Sequence, residues 1–183
     1  MNKFQPAIKY GIYLGLVIVV FNILIYALYP EMFLNDSFSL INGTLIGVAA
    51  PIIFMILGAR DCKPNFEEYE FGKAFSAAFL VGVVAMAISL MYSLLFNTVI
   101  DPEFGDWVFD EKMQQELIKM EEMGYDEQVI EQSIGMARKF KQFTTGFLGV
   151  VFMSGILLVW YLILALIIGA VQKEGKRIDN LTS

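Results

Sequence analysis

The chain has 183 residues, of which 57% are hydrophobic, with a mean hydropathy of +0.60 and a formal net charge of −6. The apolar share exceeds the roughly 45–50% usual for soluble domains, and the acidic balance argues against nucleic acid as a partner. With no histidine and a single cysteine (Cys62), the commonest general base, metal ligand and proton shuttle is missing, and an intramolecular disulfide is excluded.

Four uncharged stretches follow one another: residues 10–30, 37–59, 74–100 and 142–172. Each exceeds the ~18–20 residues needed to cross ~30 Å of hydrocarbon at ~1.5 Å per residue. Four in so short a chain leave too little polar sequence to cover them in water. The expected fold is an all-α membrane protein of four transmembrane helices, at about 9–29, 38–59, 73–100 and 144–171. An extramembrane helical hairpin, 101–143, is expected between the third and fourth.

Lys3 and Lys9 precede the first span like the basic end of a signal peptide. The apolar run is too long for one, and Ala27-Leu28-Tyr29 offers no small-x-small cleavage site, so the span is expected to be retained. Gly11 and Gly15 in this span, Gly43 and Gly47 in the second, and Ala165 and Gly169 in the fourth form small-xxx-small pairs. The third span carries Ala74, Ala78, Gly82, Ala85, Ser89 and Ser93 along one face. Lipid offers no hydrophobic drive for helix pairing, so such residues serve by letting backbones approach closely. They fit packing within one bundle, and also a homo-oligomer or a membrane-protein partner. Pro51 is expected to bend the second span, and Asn22 needs a hydrogen-bond partner inside the first.

Pro102 disfavours helical geometry at Asp101, so the third span should stop near Ile100. Asp101 also suits an N-cap and Pro102 the first position of a new helix. In that helix Phe109, Met113, Leu117 and Met120 form one apolar stripe. Gly124 reads as its stop and Asp126 as the next N-cap; the second helix carries Ile130, Ile134, Ala137 and Phe140 on one face. Its early acids and late bases (Arg138, Lys139, Lys141) suit the helix dipole. At Thr144-Thr145-Gly146 a kink is expected before the fourth span.

The termini and the 60–73 loop share a side carrying eight basic residues: Lys3, Lys9, Arg60, Lys63, Lys73, Lys173, Lys176 and Arg177. The hairpin side carries five: Lys112, Lys119, Arg138, Lys139 and Lys141. This bias puts both termini in the cytoplasm, although the Arg138–Lys141 cluster pulls the other way. Residues 101–141 hold 11 acids and 5 bases, net −6, while the remainder has 8 of each. All the net charge therefore sits on the hairpin.

No span interior contains Asp, Glu, Lys, Arg or His, which argues against a coupled ion or proton transporter. Phosphate-binding loops, nucleophile elbows and metal-ligand spacings are absent, so no catalytic, metal or cofactor-binding residues are expected. The hairpin acids read as a solvated face. Asn42-Gly43-Thr44 and Asn180-Leu181-Thr182 match the glycosylation pattern by chance, one lying in a span and the other in the carboxy-terminal tail.

Several motifs recur in order: Tyr10-Gly11-x-x-x-Gly15, Phe71-Gly72-Lys73-Ala74-Phe75, Ile100-Asp101-Pro102-Glu103-Phe104, a glutamate-rich hairpin with Gly124 at its bend, and Phe143-Thr144. In this order and spacing the chain resembles the bacterial domain of unknown function 4199 family of small integral membrane proteins. The resemblance implies a Gram-negative inner-membrane location and brings no activity. Two functional classes follow from the residues. The first is a non-enzymatic scaffold or accessory subunit that docks a membrane or periplasmic partner. The second is a passive pore or small-solute transporter using a polar seam of Asn22, Ser89, Ser93 and Asn97.

Overall fold

The computed structural model describes residues 3–141, 143 and 145–174. Thr144, Lys176, Arg177 and the Asn180 sequon lie outside the described residues. The described residues form helices and no strands: α1 (Gln5–Leu28), α2 (Asp36–Thr44), α3 (Ala50–Cys62), α4 (Phe71–Leu95), α5 (Phe104–Glu122), α6 (Glu127–Lys141) and α7 (Gly146–Gln172). Four stretches are long and apolar enough to cross a membrane: Gln5–Leu28, Asp36–Asn65, Phe71–Ile100 and Gly146–Gln172. The protein is an all-α membrane protein, with Lys3 and Glu174 at one end of the bundle and α5–α6 at the other.

The third span, α4, is the hub against which α1, α3 and α7 pack. Small residues set the approach. A Cβ on Gly11 would meet Val84 Cβ at 2.6 Å, and one on Gly15 would meet Ile88 Cβ at 2.9 Å. Gly58 lies against Val81, Gly82 against Tyr161, and Gly169 against the Phe75 backbone. Ala74, Ala78 and Ala85 are wholly buried, as the one-face stripe predicts. Gly43 and Gly47 behave differently: a Cβ at either would meet nothing within 4 Å. That pair mediates no close helix approach among the described residues, and this part of the second span leaves Leu40 73% and Leu45 57% exposed.

The buried residues concentrate at the terminus end, in 7–15, 51–62, 74–85 and 161–169. There the loop after α3 bolts three spans together. Tyr69, 3% exposed, donates from its hydroxyl to the Ala59 carbonyl at 2.6 Å. Its own carbonyl accepts from the Glu174 amide, and Asn65 donates to the Lys3 carbonyl. The opposite half is looser, and Met91, Val99 and Leu148 there present their side chains outward.

Pro51 acts on the second span through hydrogen bonding. A π-helical turn, Leu45–Ala49, precedes it, with the Ala50 amide reaching back to the Leu45 carbonyl. Pro51 has no N–H, so the carbonyl four residues earlier, Gly47, loses its helical donor. The indole Nε1 of Trp160 on α7 donates to that carbonyl at 3.0 Å. In hydrocarbon a freed carbonyl must find another partner, and the fourth span supplies it.

The third span ends in another π turn, Phe96–Ile100, after which Asp101 leaves helical geometry at φ −147°, ψ 82°. Asp101 does not stand immediately before a helix; Pro102 and Glu103 form a turn and α5 begins at Phe104. The N-cap position falls on Glu103 instead of Asp101, whose Oδ1 accepts from the Phe104 amide at 3.1 Å across the turn. The link from α6 to α7 is a break rather than a kink. Thr145 is extended, and Gly146 takes φ +64°, a left-handed conformation that other residues rarely adopt. The Thr145 amide and hydroxyl both return to the Lys141 carbonyl, closing α6 there.

Candidate functional site: the acidic hairpin and its root

The hairpin is rooted in an aromatic cluster where α1, α4 and α5 meet. Phe104 packs edge-on against Tyr26 (5.1 Å between centroids), Phe33 (5.4 Å) and Phe96 (5.7 Å). Such pairs contribute about 0.5–1.5 kcal/mol each beyond their burial. Within the cluster the Tyr26 hydroxyl donates to Asp101 Oδ2 at 2.9 Å. Asp101 therefore joins the first span, the end of the third and the start of α5 through one carboxylate.

Two lysines extend this attachment along α5. Lys119 Nζ reaches Asp36 Oδ2 at 2.8 Å, and Lys112 Nζ reaches Ser39 Oγ at 3.1 Å, laying α5 over the start of α2. Lys141, at the end of α6, bonds both oxygens of Asp110 (2.8 and 3.0 Å) and lies 3.4 Å from Asp106. The hydrogen bond to Asp36 raises the Lys119 ammonium above its usual pKa, and the bond to Asp110 does the same for Lys141. These pairs are exposed, so each contributes little alone.

The bend forms as its residue types dictate. Gly124 adopts φ +73°. Its amide donates to the Glu121 carbonyl and the Tyr125 amide to the Met120 carbonyl, the two bonds of a Schellman motif. Asp126 then precedes α6, its carbonyl accepting from the Val129 and Ile130 amides.

Between the two helices runs an open groove of about 470 Å³. Phe109, Met113, Leu117 and Met120 line it from α5, and Ile134 and Ala137 from α6. The two stripes thus face one another, yet no residue of either helix is fully buried. Phe140 departs from the expected stripe: it is 62% exposed, and Lys141 closes that end of the hairpin through Asp110. Positions 130, 134, 137 and 140 step by four, three and three; this falls short of the ~3.6 residues per turn, so the stripe drifts around the helix and carries the last residue out of the groove.

The polar seam divides into two small cavities. Asn22, Ser93 and Asn97 line one of about 180 Å³; Ser89, Ser93, Asn97 and Ser154 line a second of about 340 Å³. Asn22 and Asn97 donate to carbonyls of their own helices, those of Ile18 and Ser93. The Ser89 hydroxyl is buried and lacks a hydrogen-bond partner among the described residues. Towards the termini Leu14, Val81 and Tyr161 are buried and fill the centre of the bundle. Among the described residues, no group of three or more His, Cys, Asp or Glu is placed to hold a metal.

Sequence reasoning missed the Tyr26–Asp101, Lys119–Asp36 and Trp160–Gly47 contacts. Only the last left a signal, since Pro51 marks the Gly47 carbonyl as needing a donor. No curated protein and no solved structure matches the chain. A family model does match, over residues 9–174, nearly the whole of it. The motifs, the four spans and this match agree, and the chain belongs to the family described as protein of unknown function (DUF4199).

Proposed function

We propose that this protein is a non-enzymatic accessory subunit, and that its hairpin docks a basic amphipathic segment of a partner protein. One observation carries the reading: an apolar groove lies open between α5 and α6 on the part of the chain that holds its entire net charge. Glu116 sits among the groove residues, and Glu121, Glu122, Glu127 and Glu131 are exposed on the same two helices. An incoming helix with apolar anchors at i, i+3 and i+4 and a basic flank would cover the first feature and complement the second. The rooted base favours this use, because a rigid platform loses less entropy on binding.

The basic bias supports a cytoplasmic location for both termini and a periplasmic one for the hairpin, within a bacterial inner membrane. Reporter fusions after Ser183 and within residues 122–126 test the sidedness; a periplasm-active carboxy-terminal fusion overturns it. The docking reading is tested by crosslinking from Leu117. Capture of a partner segment that is lost on Glu116→Lys supports it, and labelling by lipid alone refutes it.

The pore reading draws on the two cavities that share Ser93 and Asn97. Asn22 and Ser89 line different cavities, and the packed layer at Gly82 and Tyr161 lies across the route towards the termini. The docking reading is the better supported.

A further inference from the structure

A second groove lies at the opposite end from the hairpin, where α1 and α3 meet the loop after α3. It is an open groove of about 1130 Å³. Lys3, Lys9 and Arg60 line it together with a single acid, Asp61. That acid is already engaged: its Oδ2 accepts from the Tyr10 hydroxyl at 2.7 Å and its Oδ1 lies 3.3 Å from Arg60 Nε. Arg60 and Asp61 partly neutralise each other, so the groove presents a net excess of two positive charges, carried by Lys3, Lys9 and Arg60 against one carboxylate.

Its depth is fixed by the sequence. The first uncharged stretch begins at Tyr10 and the second ends at Ala59, so Lys9 and Arg60 mark the hydrocarbon boundary on adjacent spans. Ile12 and Tyr13, also in the lining, lie about one helical turn deeper, ~5–6 Å into the apolar layer. Lys9 Nζ stands 5.6 Å from the centre of the Tyr13 ring, which keeps the ammonium beside the groove. A ligand that fills this space needs a negative charge at the boundary and an apolar chain below it.

We propose that this groove binds an anionic phospholipid, its phosphate between Lys9 and Arg60 and an acyl chain against Ile12 and Tyr13. Charge complementarity selects the headgroup, and position at the membrane edge selects a lipid over a soluble anion. The assignment is independent of the hairpin and of which side of the membrane the termini occupy.

The test is native mass spectrometry of the full-length protein released from nanodiscs containing equal phosphatidylglycerol and phosphatidylcholine. The expected result is selective retention of phosphatidylglycerol. Each basic residue at a membrane surface changes binding by a factor of about 5, so Lys9→Gln with Arg60→Gln should lower the selectivity roughly 25-fold. Lys139→Gln, on the hairpin, should leave it unchanged. If the double variant does not fold, Lys9→Gln alone should lower selectivity about 5-fold. Equal retention of the two lipids by the native chain overturns the proposal, as does unchanged selectivity in a folded variant. Loss of bound phosphatidylglycerol to millimolar inorganic phosphate would also overturn it, since a bare phosphate site needs no acyl contact.

Discussion

Replacing Gly82 tests the packing at the hub helix. A Cβ there would lie 2.9 Å from Cβ, Cγ and Cδ2 of Tyr161. Optimal carbon–carbon separation is about 3.5–4.0 Å, so the deficit is roughly 0.6–1.1 Å. Tyr161 is 1% exposed and has no free space to swing into, so α4 and α7 must part by a similar amount. A gap of ~0.5–1 Å forfeits about a quarter to a half of each neighbouring contact's attraction, and overpacking of this kind costs about 1–3 kcal/mol. Gly→Ala in a helix recovers about 1 kcal/mol, leaving Gly82→Ala with a net loss of about 0–2 kcal/mol. Gly82→Leu drives further into the ring and should cost at least about 1–3 kcal/mol. Gly43→Ala is the matched control: nothing lies within 4 Å of its Cβ, so only the helix gain of up to ~1 kcal/mol remains. Unfolding in mixed micelles followed by circular dichroism should order the proteins as Gly43→Ala, native, Gly82→Ala, Gly82→Leu, from most to least stable. An unchanged midpoint for Gly82→Leu would refute the α4–α7 contact, and a loss for Gly43→Ala would mean that another helix covers that face.

Trp160→Phe should destabilise the bundle by about 1–3 kcal/mol, because the Gly47 carbonyl then loses its donor in hydrocarbon; Pro51→Ala should relieve part of that loss in a double-mutant cycle, and additive effects would contradict the compensation. Cysteines placed at Leu117 and Ile134 in a Cys62→Ser background should crosslink across the groove, whereas failure with labelling of Leu117 by lipid-soluble probes would lay the hairpin flat on the membrane. The Lys119 and Lys141 pKa values are raised in the folded chain, so their tethers hold fully below the ordinary lysine value of about 10.4 and are lost as pH rises through the shifted values. Proteolysis near Gly124 should therefore accelerate above that pH, and a flat rate from neutral pH upward would refute the tethering.

The spans, the hairpin and its bend were legible because their signals are local. Uncharged length marks a span, and a glycine between two apolar stripes marks a turn. The alanine stripe on α4 worked for the same reason, since every third or fourth position faces one neighbour. Gly43 and Gly47 carry the same spacing, yet a Cβ at either would meet nothing within 4 Å, because spacing records the ability to pack and not the presence of a close helix. The start of α5 slipped from Asp101 to Phe104 once Asp101 was drawn to Tyr26, a contact 75 residues away in sequence. Phe140 left its stripe through helical drift and the competing pull of Asp110 on Lys141. The basic groove at the terminus end is assembled from residues more than 50 positions apart, and no single segment shows it.

The most direct test of the docking account is photocrosslinking in native membranes from a probe at Leu117, compared with one at Leu40 on the lipid-facing side of α2. The account predicts that Leu117 captures one protein through a segment with apolar anchors and a basic flank, that Glu116→Lys abolishes the capture, and that Leu40 yields lipid adducts alone. Lipid adducts alone from Leu117, or capture that survives Glu116→Lys, would contradict it.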